Sequence, residues 1–190
     1  MLAGAITALL AGCMSLGLTA PATQRGLDYL NDDLGSLVLA FDVPELLEPV
    51  QGASELTLTI RVPGQGERTV TAVLVPADAS EVAGTLPAPG EARSYYLFGF
   101  APADAARLRD TQAWARAIAQ TGVAPETPVV AIVPRFCTLA PVDLARTNVS
   151  VLLALPGRPG LEPLLANQSL GALLANSGGG TLPACAGHSG

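Results

Sequence analysis

Six short runs rich in Val, Leu, Ile, Thr and aromatic residues each stop at a proline: SLVLAFDVP (36–44), SELTLTIRVP (54–63), RTVTAVLVP (68–76), RSYYLFGFAP (93–102), PVVAIVP (128–134) and NVSVLLALP (148–156). Proline carries no N–H and cannot donate to a sheet ladder, so it belongs at strand ends and edges. Runs of this length, composition and punctuation read as strands, and the chain is expected to be mainly β.

The second run is the clearest. Leu56, Leu58, Ile60 and Val62 alternate with Thr57, Thr59 and Arg61, the period-two pattern of a strand with one buried and one wet face. Gly64-Gln65-Gly66 supplies a permissive backbone for a hairpin into the third run. Tyr96, Phe98 and Phe100 share one face of the fourth, and Val149, Val151, Leu153 and Leu155 one face of the sixth.

One segment breaks the pattern. PADAARLRDTQAWARAIAQTG (102–122) has proline at its start, Asp104 in the first turn and Gly122 at its end, which are helix start and stop signals. Leu108, Thr111, Ala115 and Ile118, with Trp114 beside them, form its apolar stripe. A second, shorter helix is expected over 162–174, weakened by Gly171. The expected fold is therefore mainly β with one or two helices. It reads as an antiparallel β-sandwich of about six strands, with a helix inserted between strands four and five. The alternative is an α+β open sheet covered by that helix.

A chain of 190 residues fits one domain with a sizeable core. Its ten basic residues are all arginine, and against sixteen acids they leave a net charge of −6. That balance disfavours nucleic acid, which needs a basic face, and argues against electrostatic docking on anionic lipid.

The N-terminus reads MLAGAITALLAGCMSLGLTA. Leu2 to Ala11 is an uncharged run too short to span a bilayer, and apolar runs of this length followed by small residues mark export signals. The stretch Leu10-Ala11-Gly12-Cys13 resembles the lipobox of bacterial lipoproteins. The resemblance covers this stretch alone, and nothing basic precedes Cys13 except the amino terminus. It implies that the Cys13 thiol carries a diacylglycerol and that residues 1–12 are removed as a signal peptide. Met14 after the cysteine, where aspartate tends to retain such proteins on the inner membrane, implies the outer membrane, with the domain facing the periplasm. The other reading makes Leu2–Ala11 a buried N-terminal helix and Cys13 an inert thiol.

Under the lipoprotein reading, residues 13–33 form a tether, 34–176 the β-rich domain and 177–190 a C-terminal tail. Two cysteines then remain, Cys137 and Cys185. In an oxidising compartment a pair is most simply a disulfide, which would tie the tail to the end of the fifth run. The alternative is two unpaired thiols.

Candidate chemistry is sparse. The single histidine, His188, sits in Cys185-x-x-His188, the spacing of half a metal site with no second half. Asp32-Asp33 lacks the spacing of a calcium loop and reads as an acidic turn. Gly64-Gln65-Gly66 is followed by no GK[ST] and cradles no phosphate. Asp42, Glu45 and Glu48 form the better acidic cluster; carboxylates do acid–base work only in a pocket that raises a pKa. The aromatic face Tyr96, Phe98, Phe100 reads as core before ligand platform. No residue is assigned as catalytic, cofactor-binding or metal-ligating.

The expected function is thus a membrane-anchored envelope lipoprotein with a non-catalytic structural or interaction role, held by its lipid and contacting an envelope protein partner. The alternative is a carboxylate-dependent hydrolase or small-ligand-binding lipoprotein. It would use Asp42, Glu45 or Glu48 in a cleft with Arg61 or Arg135.

Overall fold

The structure is a computed structural model that describes residues 18–21, 27–78, 82, 85–154, 160–176 and 181–186. All six proline-ended runs are strands: β2 Val38–Pro44, β4 Glu55–Val62, β5 Gly66–Pro76, β6 Arg93–Phe100, β7 Val129–Val133 and β9 Asn148–Ala154. Four further strands join them: β1 Leu18–Pro21, β3 Leu47–Pro49, β8 Phe136–Thr138 and β10 Glu162–Ser169. The described strands number ten rather than about six.

Eight of them form one sheet in the order β1-β7-β4-β5-β6-β2-β9-β10, and β3 pairs with β8 separately. Every pairing between these strands is antiparallel. The large sheet curls at β5. Its first part, Gly66–Val73, pairs with β4, and only Leu74–Pro76 pairs with β6. The β4–β5 hairpin turns where Gly64-Gln65-Gly66 predicted: Gly64 and Gly66 have φ of +72° and +100°, a region glycine enters without steric cost.

Burial follows the alternation in the sequence. Leu56, Leu58, Ile60 and Val62 are buried, as are Val149, Val151 and Leu153. On the wet face of the hairpin, Thr57 meets Thr71 and Thr59 meets Thr69 through their hydroxyls, at 3.1 and 3.0 Å. Strands from both arms of the curl contribute to one core cluster. Phe41 is edge-on to Phe98 at 5.2 Å and to Phe136 at 6.0 Å, which ties the large sheet to the small one. The aromatic stripe of β6 is core: Phe98 is buried, and Tyr96 and Phe100 pack against the cluster.

The first helix, α1, spans Pro102–Ala119 with proline in its opening turn, and packs on β4, β5 and a 3-10 turn at Leu34–Ser36. It buries Ala105, Leu108, Thr111, Gln112 and Ala115, close to the predicted stripe. Counting all strands, it follows the sixth. Arg68 lies over the Trp114 ring, 4.7 Å from its centroid.

The second helix differs from expectation. Residues 162–169 form strand β10, and α2 occupies only Leu170–Asn176. The free edge of β9 takes 162–169 as its partner, with register shifts between Pro163 and Leu165 and between Leu165 and Gln168. The gain from pairing and from packing Leu164 and Leu165 on the core outweighs a weak local helix preference. Gly171 fits at the start of α2 because its N–H donates to Leu144 O at 2.7 Å, where a Cβ would lie 3.2 Å from that same oxygen.

The expected tether, 13–33, is not free of the domain throughout. Leu18–Pro21 pairs with β7, and Leu27, Tyr29 and Leu30 pack on the core. Cys13, the signal region 1–12 and His188 lie outside the described residues.

Candidate functional site

Pro76 borders an open concavity. It ends β5 without an N–H to offer, and the last bond from that strand to β6 is Ala77 N–H to Leu97 O at 3.0 Å. Beyond it, β6 continues back to Arg93, paired to β2 on its other side. The space beside this stretch, which no described strand pairs on that side, is a groove of about 460 Å³. Glu48 and Gln51, from β3 and the turn after it, form one wall; Pro76, Tyr95, Tyr96 and Leu97 form the other.

The structure separates the three carboxylates that the sequence grouped. Glu48 lines the groove. Asp42 does not: its Oδ1 accepts from Arg93 Nε at 2.7 Å, and the same guanidinium donates to Asp42 O and Asn148 O, clamping β6, β2 and β9 together. Glu45 is exposed in the β2–β3 turn, its N–H donating to Ala92 O. Of the two arginines, Arg61 belongs to the distant hairpin, where it pairs with Glu67 at 2.6 Å and with Glu126 at 3.8 Å. Arg135 is not among the groove's lining residues. Among the described residues that line the groove, Glu48 is the only carboxylate, so a two-carboxylate hydrolytic pair is not assembled there.

The groove is electrostatically negative at the Glu48 end. Burial pushes the Tyr96 phenol above its ordinary value, and the Glu48 and Glu45 carboxylates push it further. Tyr95 is raised first by burial and then by Asp42, with Arg93 opposing. Both phenols stay protonated at neutral pH and keep their hydrogen for donation.

Behind the Glu48 wall is the disulfide. Cys137 in β8 and Cys185 are bonded, with Cα atoms 4.9 Å apart. The tail is also held by backbone: Thr138 N–H donates to Pro183 O at 2.9 Å, and Cys185 N–H donates to Thr138 O at 3.0 Å. The Glu48 carboxylate and the two sulfurs lie within 4.8 Å of one another. Sulfurs bonded to each other are not thiolates, so in this oxidation state the trio does not offer a metal the ligands it requires.

Asp32 and Asp33 serve structure. Asp33 accepts from Gly35 N–H and the Ser36 hydroxyl, and pairs with Arg109 at 2.8 Å. Asp32 Oδ2 accepts from Asp28 N–H at 2.6 Å. A second concavity, between the arms of the curled sheet, is lined mostly by apolar side chains such as Leu39, Leu58 and Leu108, together with Glu162, and holds only about 30 Å³. That is about one water's share of liquid volume.

Sequence reasoning singled out Glu48 and Tyr96 separately and missed Tyr95, Gln51 and the β3–β8 pair. The adjacent tyrosines were visible; three-residue strands carry too short a pattern to read. Comparison with protein-family models, curated proteins and solved structures finds no match for this chain.

Proposed function

We propose that this protein is a lipid-anchored envelope lipoprotein whose β-rich body has a non-catalytic interaction role. Residues 1–12 are its signal peptide, Cys13 its lipidated residue, and the periplasmic face of the outer membrane its address. One observation carries the reading. Of three cysteines, Cys137 and Cys185 are bridged, which fits an oxidising compartment and leaves Cys13, in Leu10-Ala11-Gly12-Cys13, as the one cysteine outside the bridge. Among the described residues no helix is long and apolar enough to cross a membrane, so a membrane role for these helices would depend on an anchor elsewhere. We read the curled sheet as a sandwich-like body whose two arms share β5.

The experiment is detergent partitioning of full-length protein against Cys13→Ser. The variant is expected in the aqueous phase with an unchanged urea midpoint; retention in the detergent phase defeats the anchor. A second reading, a small-ligand-binding lipoprotein, draws its support from the 460 Å³ groove beside Glu48 and the two tyrosines.

A further inference from the structure

The groove is bordered by a strand edge. The β2–β6 register pairs Leu39 with Phe98, Phe41 with Tyr96 and Val43 with Ser94, and Ala92 O accepts from Glu45 N–H. The even-numbered residues of β6 therefore aim their N–H and C=O groups at β2. Odd-numbered residues aim theirs the other way, as Leu97 O does in accepting from Ala77 N–H. Tyr95, two residues from Leu97, thus presents its N–H and C=O to the groove, and among the described residues no strand pairs with it there. An unpaired edge of this kind is a template for another strand.

Its surroundings say what kind of strand. Glu48 faces the edge across the groove and makes no ion pair among the described residues. Leu46 and Val50, which bracket β3, are two of the three large hydrophobic residues exposed among the described residues, at 44% and 38%. Exposed apolar side chains flanking the strand that carries this carboxylate match a chain carrying both apolar and basic groups.

We propose that this groove binds an extended polypeptide segment by strand addition to the edge of β6 at Tyr95. A Lys or Arg of the segment meets Glu48, and its apolar neighbours cover Leu46 and Val50. Main-chain bonds to Tyr95 supply register, and the carboxylate supplies selectivity for a basic side chain. The inference deepens the interaction role proposed above without requiring the lipid anchor, so partitioning of the Cys13→Ser variant tests one and peptide binding the other.

The test is selection of random dodecapeptides, displayed on phage, against the full chain in detergent with its disulfide intact. Recovered peptides are expected to hold a basic residue between β-branched or aromatic ones. Glu48→Gln should weaken their binding about tenfold, the loss of one charge-assisted contact at a half-buried site. The decisive measurement leaves the protein untouched. N-methylation of a selected peptide should abolish binding at the residue whose N–H meets Tyr95 O and leave the residues on either side of it unaffected, because alternate N–H groups face the sheet and the flanking Leu97 O and Arg93 N–H are already bonded to Ala77 and Gly90. Binding indifferent to N-methylation, or unchanged by Glu48→Gln in a variant with the parent urea midpoint, overturns the proposal. Recovery of no binding peptide does so as well.

Discussion

Gln112 is a buried side chain that fastens the 28–34 segment to α1. It is 2% exposed. Its Nε2 donates to Tyr29 O and to Asp32 O, both at 2.7 Å, and its Oε1 accepts from Leu34 N–H at 3.3 Å. Gln112→Leu keeps most of the volume and removes all three contacts. The two short bonds contribute about 1 kcal/mol each, and leaving the buried Leu34 N–H unpaired costs about 1 kcal/mol more. The expected loss is about 3 kcal/mol, a large share of the roughly 5–15 kcal/mol that holds a domain together. In a chain of this size that corresponds to about 6–12 °C in Tm. Gln112→Ala adds a cavity and should cost about 1–2 kcal/mol more. Urea denaturation followed by far-UV circular dichroism measures the global change, and amide exchange at Leu34 reports the local one. A Gln112→Leu variant within about 0.5 kcal/mol of the parent, with Leu34 exchange unaltered, would show that water replaces these bonds at no cost and refute the reasoning.

Other consequences follow from the same framework. Removing the disulfide by the double change Cys137→Ala and Cys185→Ala should cost up to about 4 kcal/mol, the chain-entropy value for a loop of 48 residues; an unchanged urea midpoint would contradict it. Gly35→Ala should destabilise by about 1–3 kcal/mol, because its Cβ would lie 2.7 Å from Ala105 O; a parent-like Tm would show that the 3-10 turn shifts freely. Asp33 and Asp104 are held below the usual carboxylate range, chiefly by hydrogen bonds from Arg109 and Arg107 respectively. Their stabilisation is present above the unfolded carboxylate pKa of about 3.9 and is lost as pH falls through the lower folded values. Asp104→Asn should therefore flatten the acid limb of stability below about pH 4, and a variant whose acid limb stays as steep as the parent's would rule Asp104 out.

What was legible in the sequence is what neighbours along the chain decide. The alternation of Leu56, Leu58, Ile60 and Val62, the glycines at 64 and 66, and the prolines at 44, 76 and 102 each act within a few residues. Six strands, one hairpin and the long helix followed from them; the pairing of Cys137 with Cys185 came instead from the cysteine count under the lipoprotein reading. Partner choice is a different matter. That β2 lies between β6 and β9, and that 162–169 becomes a strand, depends on which edges the assembled sheet leaves open. The three-residue strands β3 and β8 form because each is the other's partner, with Phe136 reaching Phe41. The groove exists because β5 ends at Pro76 while β6 runs on, and because β3 carries Glu48 over to face it. Period and punctuation are short-range properties of a sequence; the meeting of Glu48 with Tyr95 and Tyr96 is a long-range one, set only when the sheet curls and buries its two arms against each other.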